Sequence, residues 1–590
     1  MEDPLQTNDR RSVMINRYFQ QELNNLKDLG VEFSKNHPAV APMLSGRSAD
    51  PDVDRLLEGV AFLIALLRQK LDDEFPEIIH EVVRLIWPHY LRPLPSTSVV
   101  AFTPRPILKR SMTIPAATQV ASVPVEGTSC LFQTCYPVEV HPLRLLEASF
   151  VETAGQPQAI RLLLELSDIN LADWQPEALR LYLAGDFPAA ADRYLLLRRY
   201  LKRIVIKAAG SNNVTVLSPD NLKPAGFSPN EGMIPYPTNS FPGYRAIQEY
   251  FILPEKFLFL DLTGWSQWQH RGSGNRFEIL FELERIPFTP PRITPDNFVL
   301  FATPVINIFP YDADPIRLDH RRTEYRVRPS GQKDTHFQVY SVQNVTGFIQ
   351  GTAEERHYVP FDLFYSDQRG ASVYCVKTRT SPVRPGIDVY LSVAYPTESG
   401  PPAAETLSIE LLCTNGFLPE GIHTGDITQS TTGTPEQVEF KNLRPPTSNI
   451  LPPLGTNLLW RLISHLSLNY ASLSKTENLQ ALLNLYLFKD PRKPEALLAN
   501  QKRIAGIRNI ESGGVDRLVS GILRRGRDIE LKARNDHFAS PGDLFLFGCI
   551  LDHFLGSYAT INTFTRLMVR EIITGELYQW PARLGDHPLI

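Results

Sequence analysis

Residues Arg55–Pro76 read RLLEGVAFLIALLRQKLDDEFP. From Val60 to Leu67 the run is apolar without a break, while charged residues flank it closely on both sides. Upstream, Asp50 before Pro51 supplies a capping acid followed by proline at a first helical position. Val53, Leu56, Leu57, Val60, Ile64, Leu67 and Leu71 recur at spacings of three and four, the period of a helix with one core-facing stripe. Phe62, Leu63 and Leu66 fall off that stripe, so the middle of the helix is apolar around most of its circumference and has to be covered on most sides. The unbroken run is far shorter than the roughly 18–20 residues a bilayer needs. The cover expected is therefore other helices, from this chain or from a partner. Leu56, Val60, Phe62, Leu63, Ile64, Leu66, Leu67, Leu71 and Phe75 are the residues nominated for that partner-helix interface.

Outward from this helix, residues 13–95 read as helical. Ile15, Tyr18, Phe19, Leu23, Leu26, Leu29 and Phe33 form a first amphipathic stripe. Pro76 restarts the second helix as a third piece carrying Ile78, Ile79, Val82, Val83 and Ile86, and Pro88, Pro93 and Pro95 stop it. The lead, residues 1–12, is polar and lacks the apolar core of a secretory signal, so none is expected.

From 96 to 446 the pattern changes to short apolar or alternating runs such as SVVAF, SCLFQTCYPVEV, AIRLLLEL, RFEILFEL and FQVYSVQNVTGFI, bounded by Pro, Gly, Asn or Ser. One helix, Ala189–Ile206, is expected to interrupt them. This middle reads as β-sandwich-like, two domains with helical insertions. Residues 447–590 alternate helical stripes with strands: a capping box Ser474/Glu477, a strand RDIELKAR, a helix through Leu544, Phe547, Leu551, Phe554 and Tyr558, and a hairpin turning at Thr574–Gly575. The expected fold is thus α+β and multidomain: an N-terminal helical bundle segment, a β-sandwich-rich middle and a mixed α/β C-terminal domain.

Bulk composition agrees with a globular chain. It has 590 residues, 43% hydrophobic and 21% charged, and a net charge of −4, which argues against generic polyanion binding. Five scattered cysteines read as reduced thiols of a cytosolic protein.

Nothing in the sequence calls for a metal or cofactor. The 13 histidines are dispersed without a ligand spacing, and Cys130 and Cys135 sit in an apparent strand as core packing. GSGNRF at Gly272–Phe277 precedes a strand and reads as a turn, not a phosphate loop. Asp312 and Asp314 read as a solvated turn, and His465 as a structural histidine. The basic stretch Arg503–Arg534 is the one candidate for nucleic acid. It interleaves Asp516, Asp528 and Glu530 and lacks stacking aromatics, so a solvated strand and loop is the better reading.

Long word-like stretches carry a family resemblance. They include YFQQELNNLKDLGVEFSKNHP, DPDVDRLLEGVAFLIALLRQKLDDEFPEIIHEVVRLIWPHYLRPLPS, PTNSFPGYRAIQEYFILPEKFLFLDLTG, TPVINIFPYDADPI, LLCTNGFLPEGI, WRLISHLSLNYASLS, GDLFLFGCILDHFLGSYATINTFTRL and WPARLGDHPL. In order, spacing and nearly full length the chain resembles the TssF (ImpG/VasA) family of type VI secretion baseplate subunits, with Gly416 standing where the family is expected to have Arg.

The resemblance implies a structural protein without catalysis. Two copies would join one TssG in a wedge core, with TssK attached through TssG and TssE nearby. Wedges would surround the VgrG spike as a platform for tail tube and sheath, on the cytoplasmic side of the inner membrane and against the membrane complex. Neither nucleic acid nor direct membrane insertion is expected. The competing reading of the β-rich middle is a carbohydrate-active enzyme or binding module, which would need a carboxylate pair facing a cleft that the sequence does not nominate.

Overall fold

The computed structural model describes residues 87–590 apart from 153, 154, 156, 212, 238, 239, 334, 353, 362–370, 382, 383, 396–403, 455–460, 462–474, 489–493, 520, 521, 562 and 586–590. N-terminal to these it describes residues 19, 20, 23, 26, 52, 55–65, 80 and 82–84. The chain divides into two compact units, Met1–Ile86 with Leu454–Leu462, and Trp87–Pro453 with Ile463–Ile590. In the first, residues 55–65 are helical, as the apolar spacing predicts.

The second unit is built from sheets whose strands come from distant parts of the sequence. Thr97–Pro104, carrying SVVAF, is buried over its first six residues and lies inside a six-stranded sheet. It pairs antiparallel with Ala302–Ile306 on one side and with Val438–Asn442 on the other, so Val100 lies opposite both Thr303 and Asn442. A second sheet has five strands, with Arg276–Leu283 between Leu201–Ala208 and Ala159–Leu166. Its RFEILFEL alternation is literal: Phe277, Ile279, Phe281 and Leu283 are buried. Glu278 and Glu282 on the other face pair with Arg161 and Arg203.

The insertion helix is shorter than expected. It spans Phe187–Arg199, with Pro188 in its first turn, and LKRIVIKA leaves it to become the strand Leu201–Ala208. Ile204, Val205 and Ile206 are β-branched and fit a pleated, buried surface better than a fourth helical turn.

An eight-stranded sheet contains Phe309–Asp312 and Glu405–Thr414. Leu407, Ile409, Leu411 and Cys413 alternate into its core with Phe309, Phe337, Val345 and Leu391. Asp312 and Asp314, expected in a solvated turn, are exposed to solvent but edge this sheet. Asp312 pairs with Glu410, and the N–H groups of Ala313 and Asp314 donate to the carbonyls of Ile409 and Arg328. Gly272 does take a left-handed turn, at φ 73°, before Arg276–Leu283.

Toward the C-terminus, Thr476–Leu485 and Pro494–Ala505 are helices. The first begins after Lys475, and Ser474 of the expected capping box lies outside the described residues, as does His465. Ile507–Val519 and Ile522–Ala533 form a hairpin whose second strand pairs in parallel with Thr563–Glu571. Parallel neighbours need a crossover, and the helix Pro541–Gly556 provides it. Thr574–Gly575 turns the last hairpin, between Thr563–Glu571 and Leu577–Gln579.

Pro541–Gly556 packs against Phe187–Arg199, Gly243–Ile252 and Thr563–Glu571. Ser540 caps it by accepting from the Asp543 N–H, and Pro541 opens it. A side chain at Gly542 would collide with the backbone of Ala191, so glycine is required there for the helices to approach. The Gly542 N–H donates to Asp192 at 2.8 Å. Helix packing therefore crosses the boundary expected at 446/447.

Candidate partner-binding surfaces

Within residues 55–65, Leu57, Ala61, Ile64 and Ala65 share one side of the helix at spacings of three and four. Ala61 and Ala65 are fully buried, and Leu57 and Ile64 are half-buried. Leu56, Phe62 and Leu63 lie away from that side, exposed by 69%, 46% and 61%, and Val60 sits at its edge, exposed by 37%. This corrects the expected stripe: Leu56 and Val60 were assigned to the core face, yet the face buried within this chain runs through the two alanines. Bulk draws the eye in a sequence, whereas small side chains allow the close approach that buries a face. Leu66, Leu67, Leu71 and Phe75 lie outside the described residues.

The C-terminal hairpin also presents apolar groups. Leu518 and Leu523 are cross-strand partners near its end and are 73% and 70% exposed. Four of the eight cations of Arg503–Arg534 are paired within the fold: Arg503 with Asp543 at 2.9 Å, Arg517 with Asp528 at 2.6 Å, Lys532 with Glu511 at 2.8 Å and Arg534 with Asp536 at 2.5 Å. Pairing of this kind lowers the number of cations available to meet phosphates.

Several buried carboxylates are matched by cations and N–H donors. Glu249 accepts from the Met233 and Ile234 N–H groups at 2.6 and 2.8 Å and is paired with Lys256 and Arg245. Asp543, fully buried, accepts from Arg503, Tyr250 and the Ala539 N–H. Burial outweighs the neighbouring Arg583 at Asp552 and pushes its carboxyl above the usual range. Cys130 and Cys413 are buried in strands, and burial pushes both thiols up to about 12, which leaves them unreactive as nucleophiles. Among the described residues no group of three or more His, Cys, Asp or Glu could hold a metal ion. Among the same residues no helix is long and apolar enough to cross a membrane.

Described residues line two of the clefts on the second unit. The larger, 590 Å³, lies between Phe102, Arg105, Arg144, Asp168, Asp296 and Phe301. Three of its charges are engaged: Arg105 with Glu439, Arg144 with Glu165, and Asp168 with Lys109. The smaller, 420 Å³, is mainly apolar.

An α+β chain of several sheets, with buried carboxylates matched and bulky apolar residues left on a helix and a hairpin tip, is the kind of protein that assembles with others. The chain belongs to the TssF family of the type VI secretion system, whose family model matches residues 12–587. It is 30% identical over 624 aligned positions to the type VI secretion system component TssF1 of Pseudomonas aeruginosa, covering 97% of this chain and 98% of that protein.

Among solved structures it is similar to a chain of the TssK-TssF-TssG baseplate subcomplex determined by cryo-electron microscopy, with TM-score 0.77, 29% identity, and coverage of 91% of this chain and 99% of that one. It is also similar to a chain of a type VI secretion baseplate complex, with TM-score 0.61, 27% identity, and coverage of 96% and 98%. The function that accompanies this family is structural, that of a secretion baseplate component, and it displaces the carbohydrate reading of the β-rich middle.

Proposed function

We propose that this chain forms the core of a baseplate wedge with TssG, two copies to one, and that it contributes scaffold and not catalysis. The observation that carries the reading is the exposed apolar side of helix 55–65, at Leu56, Val60, Phe62 and Leu63. Covering each such side chain stabilises an assembly by about 1.5–3 kcal/mol, so a few of them offset much of the cost of association. Leu66, Leu67, Leu71 and Phe75 extend the proposed interface along the sequence.

The solved relative was captured with TssG and TssK, which supports the same two partners here, TssK being reached through TssG. TssE, the VgrG spike and neighbouring wedges complete the proposed surroundings, on the cytoplasmic face of the inner membrane and in indirect contact with the membrane complex. The wedge would be the platform on which tail tube and sheath polymerise. Co-expression with the neighbouring gene products, followed by native mass measurement of the purified complex, tests this. A mass equal to two copies of this chain with one TssG is expected; a chain that purifies without any TssG overturns the reading.

A further inference from the structure

The hairpin of Ile507–Val519 and Ile522–Ala533 has one free side. Its first strand ends the sheet, and among the described residues no strand lies beyond it. Val519 stands opposite Ile522, so the hairpin turns tightly, and every second residue back from the turn bonds across to the second strand. Arg517, Val515, Gly513 and Glu511 belong to that inward set. Ser512, Gly514, Asp516 and Leu518 turn their N–H and C=O groups the other way, along an edge about 20 Å long. Ile510 comes next in the outward series, and its N–H donates to Thr476 Oγ1 at 3.1 Å, which ends the free stretch.

Edges of this length are usually guarded by proline, lysine or a bulge. The bulge in this strand falls between Ile507 and Asn509, and residues 512–518, SGGVDRL, contain neither proline nor lysine. Gly513 and Gly514 are exposed, and a side chain added at either would meet nothing within 4 Å. The outward residues also choose a guest. Asp516 is exposed and has no ion-pair partner among the described residues, so a cation opposite it is complementary and an acid is repelled. Leu518, 73% exposed, asks for an apolar neighbour, and Gly514 leaves room for an aromatic ring. A second copy of the same edge does not meet these needs. In any antiparallel self-pairing Asp516 faces another outward residue, Ser512, Gly514, Asp516 or Leu518, and none of these is a cation.

We propose that this edge takes up an extended segment of a different protein as an added antiparallel strand. The segment sets a lysine or arginine opposite Asp516, an aliphatic side chain opposite Leu518 and an aromatic one over Gly514. The inference rests on the reading of the chain as an assembly component, and it names a contact separate from helix 55–65.

The probe is a fluorescein-labelled heptapeptide, Leu-Thr-Lys-Val-Tyr-Thr-Thr-amide, followed by anisotropy with the full chain. Saturable binding is expected. Exchanging its lysine for glutamate should weaken binding by a factor of about 2–5, and the Asp516→Lys chain should reverse that preference. Methylating the lysine's main-chain nitrogen, which faces the edge, should cost a factor of about 2–12, the loss of one hydrogen bond. Methylating the valine's nitrogen, which faces away, should cost nothing. Gly514→Pro removes an outward N–H without touching the hairpin's own ladder and should abolish binding; Asp516→Pro repeats the test if the first variant misfolds. In the purified complex with its co-expressed neighbours the peptide should no longer bind, because the edge is filled.

No binding by the free chain, equal losses on methylating either nitrogen, an unreversed charge preference, or insensitivity to both proline variants overturns the proposal. So does a dimer of the free chain that the proline variants dissolve, which gives the edge to a second copy. A normally assembled complex that still binds the peptide overturns it while leaving the baseplate reading intact. Failure of any complex to form strikes the baseplate reading instead, and the free-chain measurements still decide the edge.

Discussion

Two helices in this chain are apolar on nearly every side, and they end up in opposite situations. Pro541–Gly556 has thirteen of its sixteen residues buried, among them Leu544, Phe545, Leu546, Phe547, Leu551 and Phe554, because elements of the same chain surround it. Residues 55–65 bury the alanine side and leave Leu56, Phe62 and Leu63 in the open. Apolarity around a helix therefore states that cover is needed and not who provides it. The difference shows in the polar residues. The buried helix carries Asp543 and Asp552, each matched by an arginine from elsewhere in the fold, Arg503 and Arg583. The exposed helix has charges at its flanks, with Arg55 and Asp52 forming a solvent-facing pair at 3.6 Å.

If the contrast is real, the same kind of substitution must act differently in the two helices. Leu551→Asp should have the largest effect. It places a carboxylate in a closed core without a counter-charge, and cooperative unfolding of the second unit should be lost; Leu551→Ala should lower stability by about 2–5 kcal/mol in a denaturant titration. Next comes Arg503→Met, which leaves Asp543 buried and unpaired. A loss of about 3–5 kcal/mol is expected, with part recovered when Asp543→Asn is added. If the single variant melts like the parent, the matched-charge account of this helix fails.

A smaller effect reports on the closed interior through pH. His141 is buried, its Nδ1 lies 2.7 Å from Ser111 Oγ, and burial draws its pKa from 6.5 down to about 4. Glu139, 3.8 Å away, would pull the other way, but it is partly solvated and burial of the imidazole prevails. Above pH 6.5 the ring is neutral in both states. Between 6.5 and 4 the unfolded chain takes up a proton that the folded chain does not, so stability falls as pH drops, by up to about 3 kcal/mol. In His141→Gln, that part of the slope should vanish from melts recorded across this range.

The smallest change in the chain's own stability, within about 0.5 kcal/mol, is expected from Leu56→Asp with Leu63→Asp, because both side chains already face water. The same double variant should no longer pull down TssG. Retained binding with an unchanged melt would make helix 55–65 an ordinary solvated element.

Much of this was legible in the residues. RFEILFEL and SVVAF gave strands where they were expected, and the run through Leu544–Phe554 gave the buried helix, because period and burial are local signals. Less was legible wherever two distant segments decide. The end of Phe187–Arg199 depends on Leu201–Ala208 finding Arg276–Leu283 as a neighbour. The buried side of 55–65 is marked by two alanines, which carry almost no signal in a hydrophobicity pattern. The 420 Å³ cleft at Arg444 and Ser448 is assembled from five separated stretches, none of which resembles a motif alone.

The long-range pairing of Thr97–Pro104 with Val438–Asn442, and the packing of Phe187–Arg199 under Pro541–Gly556, also bear on synthesis. A ribosome adding about 5–20 residues per second needs on the order of tens of seconds to travel from the first of these helices to the second. Throughout that time the early sheets lack their closing strands and the early helices lack their lid. Such high contact order makes folding slow and leaves sticky nascent intermediates. Shortening the chain from its end should therefore harm yield far more than the few residues removed would suggest, since the last segments made are the ones that complete the first.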